Sequence, residues 1–155
     1  MFVDSDHATD ETKRWSKTGY FIYVNSALVN WFSKMQATID TSLFGAEFVA
    51  MKQGMETVRG LHYKLRMMGV RISGPTYVYG DSMSVIHNTQ RPESTLRKKS
   101  NSICYHAMRE LVAMGESLTG HIPTAENCAG LATKIIAGGK NCDHLVGNIL
   151  FDIVD

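Results

Sequence analysis

Phe2-Val3-Asp4-Ser5-Asp6-His7-Ala8 opens as a buried β-strand opens, with two large apolar residues, and then sets carboxylates on alternate positions. Side chains two apart on a strand share a face, so Asp4 and Asp6 look the same way just where the chain enters a core. A carboxylate in such a place is costly unless positive charge meets it. A strand end turning polar as it reaches solvent would explain this stretch on its own. Two further carboxylates in equally awkward positions tip the reading toward a site.

Downstream, Thr9 to Lys17 is polar, as a turn should be, and Thr18 to Val24 is a β-branched and aromatic strand. Asn25-Ser26 links it to a strand over Ala27 to Ser33, a spacing that predicts an antiparallel hairpin and, with the opening strand, a three-strand meander. From about Ser42 the period changes. Gly54, Val58, Leu61, Leu65 and Met68 form the apolar stripe of an amphipathic helix, and the same stripe extended back seven residues lands on Glu47. The plainer explanation is a glutamate in the helix's first turns, where the macrodipole favours it.

Gly69 closes that helix, Ser73-Gly74-Pro75 turns, and Thr76 to Tyr79 is a short strand running into Gly80-Asp81-Ser82, with a helix starting at Ser82. Strand, long crossover helix and strand make a βαβ unit with parallel strands, so Asp4 and Asp81 are expected at one edge of one sheet. Ligands of open α/β sheets sit at that edge. Further on, Arg97-Lys98-Lys99 is the densest basic run, either a solvated loop or a phosphate contact. Ile103 to Val112 reads as a helix ended by Gly115, Ser117 to Ile122 as a last strand, and Ala129 to Ile136 as a helix stopped by Gly138-Gly139. Leu145 to Val154 reads as a final amphipathic segment, so that residues 138–155 form a C-terminal helical extension of a single domain spanning 1–155.

The 155 residues suffice for one domain with a proper core, and 44% hydrophobic with 20% charged residues is the balance of a globular chain. No apolar run reaches membrane-spanning length, and no signal peptide precedes the first strand. A net charge of +1 leaves any nucleic-acid contact to local patches. Three cysteines without a C-x-x-C pair argue against a disulfide framework and for a reducing, intracellular compartment. Cys128, Cys142 and His144 lack the paired short spacings of a zinc site.

Three carboxylates from two strand ends and a helix face, with no obvious basic partner in the sequence, suit hard cations held by oxygen. Mg²⁺ or Mn²⁺ keep waters and take phosphate oxygens as further ligands, and two such ions would activate a water and stabilise a leaving oxygen. The competing reading makes Ser82 a nucleophile, since Gly80-Asp81-Ser82-Met83 loosely resembles the signature of GDSL serine esterases. It needs a histidine base, and neither His121 nor His144 is spaced to support it.

Several words of the sequence, in order, carry a broader resemblance: Val3-Asp4-Ser5-Asp6-His7-Ala8; Arg14-Trp15-Ser16-Lys17-Thr18-Gly19-Tyr20; Trp31-Phe32-Ser33-Lys34-Met35-Gln36; and Ala46-Glu47-Phe48-Val49-Ala50. Tyr79-Gly80-Asp81-Ser82, Tyr105-His106-Ala107-Met108-Arg109-Glu110 and Ala129-Gly130-Leu131-Ala132-Thr133-Lys134 complete the set. In these words the chain resembles the ribonuclease H domain at the C-terminal end of copia-type LTR retrotransposon polyproteins, across nearly its whole length. The resemblance implies an α/β RNase H-like fold, a mixed five-stranded sheet of a three-strand antiparallel meander plus parallel strands, flanked by helices. It implies endonucleolytic hydrolysis of the RNA strand of RNA–DNA hybrids, with a reverse transcriptase portion elsewhere in the polyprotein. Asp4, Glu47 and Asp81 would be the catalytic metal ligands, with Asp4 bridging two ions.

Three departures follow from the same resemblance. Gly130 stands where the family has an aspartate, the fourth ligand, on the side that activates water; Glu126 or Asn127 could reach in from one turn before. Gly45 replaces another common acid. Beginning at Met1, the opening strand also looks truncated, as in an excised domain or a decayed reading frame. Arg97, Lys98, Lys99 and Ser82 are expected substrate contacts, and His121 is a candidate proton shuttle or else a satisfied structural histidine. The alternative expectation is an inactive RNase H-like domain that binds nucleic acid or a protein partner.

Overall fold

Alternation along one strand sets the architecture. In β2 (Lys17–Val24) Tyr20 and Ile22 enter one apolar cluster while Phe21 and Tyr23 enter another, so both faces of the sheet are covered. The computed structural model describes residues 1–7, 14–37, 42–91, 93–96 and 99–150. β1 (Phe2–Asp6) pairs antiparallel with β2 along its whole length, from Phe2 opposite Phe21 to Asp6 opposite Lys17. β3 (Ala27–Met35) completes the meander antiparallel to β2. β4 (Thr76–Gly80) runs parallel to β1, with Phe2 opposite Tyr79, and β5 (Ser117–His121) runs parallel to β4. The order β3-β2-β1-β4-β5 puts β1 at the centre of a mixed five-stranded sheet, as expected.

The first helix, α1 (Leu43–Met67), begins where Ser42 accepts a hydrogen bond from the Gly45 amide at 3.2 Å, and it stops at Gly69, whose φ of +78° suits glycine. Its inward face carries Glu47, Phe48, Met51, Met55, Val58 and His62. The predicted stripe is therefore corrected at its C-terminal end: Met68 is 77% exposed, and His62 is the residue that turns inward. The last turns of α1 meet the start of β4 and the approach to β5 through His62, which contacts Thr76 and Glu116.

α2 (Met83–Gln90) and α3 (Ser102–Ala113) pack with α1 over the same cluster, which includes Val3, Val78, Val85 and Met108. The other face is covered more thinly. A 3₁₀ turn (Thr124–Glu126), the short α4 (Gly130–Thr133) and α5 (Lys140–Gly147) bring Cys128, Ala129 and Leu145 onto Phe21. The helix predicted over 129–136 is thus only one turn long. It ends where Thr133 and Lys134 turn toward Asp4, a tertiary contact that propensity does not report. The final segment forms earlier than expected, and 151–155 lies outside the described residues. All three cysteines are free, and among the described residues no helix is long and apolar enough to cross a membrane.

Candidate metal centre

Asp4 sits in the middle of the central strand with 1% of its surface exposed. Glu47, in the first turns of α1, is 7% exposed, and Asp81 follows β4 directly, half-buried. One carboxylate oxygen from each lies within 4.8 Å of the others, and among the described residues no other group of ligating side chains gathers so closely. β1 and β4 run parallel, so Asp4 and Asp81 emerge toward one end of the sheet, and α1 crosses over it to deliver Glu47.

Crowding leaves its mark on the protons. Burial, then the charges of Asp4 and Asp81, push the Glu47 carboxyl up to about 8. Burial also raises Asp4, opposed by the Thr133 hydroxyl and the Lys134 ammonium. Thr133 Oγ1 donates to Asp4 Oδ2, and Lys134 Nζ lies 3.2 Å from Oδ1 and 3.1 Å from Oδ2. Burial works against the Lys134 ammonium, but Asp4 outweighs it and holds its pKa above the usual value. The expectation that no basic residue meets the acids is therefore overturned at Asp4. Thr124 Oγ1 donates to Asp81 Oδ2 at 2.9 Å.

Glu47 and Asp81 open onto a cavity of about 560 Å³ lined also by Asp6, His7, Leu43, Ser82, Thr124 and Lys134, while Asp4 lies beneath it. Asp6 borders it without joining the cluster. Ser82 caps α2, its hydroxyl 3.2 Å from Ser84 Oγ rather than against an imidazole, which removes the geometry an esterase would need. His121 ends β5 opposite Gly80, exposed, one strand over from Asp81 and outside the cavity lining. Lys99, exposed, opens a 3₁₀ turn (Lys99–Asn101); Arg97 and Lys98 lie outside the described residues.

Gly130 is the first residue of α4, buried, one turn before Thr133. A Cβ there would meet nothing nearer than Ile136 Cδ1 at 4.0 Å. Neither proposed substitute replaces an acid at that point. Asn127 is committed to the Val3 carbonyl at 2.9 Å, and Glu126 lines a larger cavity, about 990 Å³, at the opposite ends of β1 and β4. Cys128 and His144 line that second cavity too, and among the described residues no ligating trio forms there.

Thr124, Thr133 and Lys134 are the site residues that sequence reasoning missed. Thr133 and Lys134 stand inside a word already singled out, but nothing local says that they reach back across the sheet.

No protein-family model matches the chain. It is 30% identical over 148 residues to the retrovirus-related Pol polyprotein from transposon TNT 1-94 of Nicotiana tabacum, covering 94% of this chain and 11% of that one. Against the corresponding polyprotein from transposon RE1 of Arabidopsis thaliana it is 26% identical over 133 residues, covering 86% and 9%. The chain thus spans about a tenth of the length of the curated relatives it matches. Among solved structures it is similar to the N-terminal RNase H domain of Rv2228c from Mycobacterium tuberculosis, solved as a fusion with maltose-binding protein, with TM-score 0.63 and 12% identity over 94% of this chain and 93% of that one. It is similar also to LC11-RNase H1 in complex with an RNA/DNA hybrid, with TM-score 0.60 and 13% identity over 81% and 86%.

Proposed function

The chain has the RNase H fold and is related to the Pol polyproteins of copia-type retrotransposons, and from that premise we propose that it is a divalent-metal-dependent endonuclease for the RNA strand of RNA–DNA hybrids. The observation that carries this reading is the convergence of Asp4, Glu47 and Asp81 within 4.8 Å at the open end of the sheet. The donor set fits Mg²⁺ or Mn²⁺: the ligands are hard oxygens, buried and crowded enough to hold Glu47 protonated up to about pH 8 in the bare site. A divalent ion supplies Lewis acidity, lowering the pKa of a bound water and stabilising the leaving oxygen of a phosphodiester.

The chain's own residues do the positioning. Thr133 fixes one oxygen of Asp4, and Thr124 fixes one of Asp81, which sets the orientation of both carboxylates at the cluster. Lys99, with its neighbours Arg97 and Lys98, would meet backbone phosphates, and Ser82 would touch substrate from the cavity wall. Contacts of that kind read the shape of a hybrid duplex rather than its bases. Exposed His121, one strand over from Asp81 at the end of β5, would exchange protons with the leaving strand. A reverse transcriptase portion of the same polyprotein would deliver the hybrid.

Two observations favour a second reading, an inactive domain that binds nucleic acid. Gly130 offers no oxygen donor, and Lys134 already covers both oxygens of Asp4.

The test is incubation with a labelled RNA–DNA hybrid and Mg²⁺ or Mn²⁺, beside Asp4→Asn and Gly130→Asp. RNA-strand cleavage that falls on the order of a hundredfold in Asp4→Asn is expected, and Gly130→Asp should raise it by about tenfold. Hybrid binding with no cleavage by either the native chain or Gly130→Asp would establish the inactive domain instead.

A further inference from the structure

Three carboxylates and one ammonium meet in this site, and the ammonium is not incidental. Lys134 Nζ lies 3.2 Å from Asp4 Oδ1 and 3.1 Å from Oδ2, so it spans the carboxylate rather than touching one corner. Its backbone is held in place. α4 stops at Thr133, whose hydroxyl is bound to the same carboxylate, and Lys134 N donates to the Gly130 carbonyl at 2.9 Å. Lys134 then leaves the helix in extended conformation, with φ −114° and ψ 153°, which sends its side chain over β1. Among the described residues no fourth carboxylate joins the cluster.

We propose that the site takes a single divalent ion, on the side where Glu47 and Asp81 open onto the cavity, and that the Lys134 ammonium stands in place of a second. The inference rests on the reading that these acids hold a metal. Charge balance argues for it: once an ion displaces the Glu47 proton, three carboxylates with one ammonium leave two negative charges, which one divalent cation cancels. A second divalent ion would lie against the half-buried ammonium beside the fully buried Asp4 carboxylate, with too few protein oxygens left to hold it. A phosphate arriving from the cavity would then meet the ion on one side and Lys134 on the other. Lysine is suited to that part, being a compact cation whose three hydrogens can serve Asp4 and an anion at once.

The test counts ions. The whole chain is titrated with Mn²⁺ while free Mn²⁺ is followed by electron paramagnetic resonance, with and without a hybrid that cannot be cleaved. One ion per chain is expected in both cases. Lys134→Met, which removes a like charge, should bind its first Mn²⁺ about tenfold more tightly and take up a second when hybrid is present. Lys134→Arg, which keeps the charge, should stay at one. Two ions in the native chain, or identical uptake by the native chain and Lys134→Met, would overturn the inference. Uptake by none of the proteins would remove the metal site itself, and this inference with it. One bound ion without cleavage of a natural hybrid would overturn only the proposed activity.

Discussion

Asn127 donates from Nδ2 to the main-chain carbonyl of Val3 at 2.9 Å, joining two points 124 residues apart inside the molecule. Its Oδ1 accepts from the Ala129 amide at 3.2 Å, so one side chain, 1% exposed, ties the approach to α4 onto the central strand beside Asp4. Asn127→Ala is expected to cost about 1–3 kcal/mol, the penalty for buried polar groups left without a partner. Urea unfolding measures it. Metal affinity should weaken as well, because Thr133 and Lys134 hang from the same short segment; unchanged stability would mean that water replaces the amide.

Gly19 controls the other side of that contact. It pairs with Asp4 across β1 and β2, and a Cβ added there would stand 2.7 Å from Thr133 Cγ2, 2.8 Å from Ala132 Cβ and 3.1 Å from the Ala129 carbonyl oxygen. Backbone and short side chains cannot give way as a flexible side chain would. Gly19→Ala should therefore push α4 off the sheet at a cost of about 1–3 kcal/mol, and loosen the hold of Thr133 and Lys134 on Asp4. Thermal unfolding together with Mn²⁺ affinity would register both effects. A variant as stable as the parent would show that α4 has room to move.

These two contacts also mark where sequence reading stops. The meander, the long helix and the two aspartates on neighbouring parallel strands were legible because each rests on a local period or a local turn; Asp4 lies mid-strand rather than at the strand end expected of it. Glu47 was legible for the same reason, as a polar residue on an apolar stripe. Lys134 was not, since its partner lies 130 positions away and no spacing rule connects them. The helix expected over 129–136 failed similarly: Thr133 and Lys134 are drawn to Asp4, and that contact ends the helix after one turn. His62 turned inward where the stripe pointed to Met68, its imidazole meeting half-buried polar partners, Thr76 at the start of β4 and Glu116 just before β5.

Glu47 gives the metal-free protein a characteristic pH dependence. Its carboxyl is raised from 4.5 to about 8 by burial and by the two aspartates, so the folded chain binds a proton that the unfolded chain has released. Between those values the unfolded state binds fewer protons, and stability falls as pH rises. Urea midpoints taken without divalent ions should decline from about pH 5 to pH 8, and Glu47→Gln should flatten most of that decline. Adding Mn²⁺ should restore the native chain most strongly at the alkaline end, where the crowded charges otherwise repel. An equal decline in Glu47→Gln would place the responsible group elsewhere.

The opposite slope is expected at acid pH from the far end of α1. His62 Nδ1 donates to Glu116 Oε2 at 2.6 Å, its Nε2 lies 2.8 Å from Thr76 Oγ1, and an Arg66 guanidinium nitrogen is 2.9 Å from Glu116 Oε1. The His62 hydrogen bond, with help from Arg66, holds the Glu116 carboxyl below its usual 4.5 despite burial. A depressed carboxylate contributes its full stabilisation above the unfolded value and loses it as pH falls through the folded one. The native chain should thus weaken progressively below about pH 4.5, and Glu116→Gln should remove part of that loss while costing about 1–3 kcal/mol at neutral pH. Because this clamp lies away from the acids, the variant should bind Mn²⁺ as the parent does. Lost Mn²⁺ binding in a folded Glu116→Gln chain would mean that the position of Glu47 depends on how the other end of α1 is anchored.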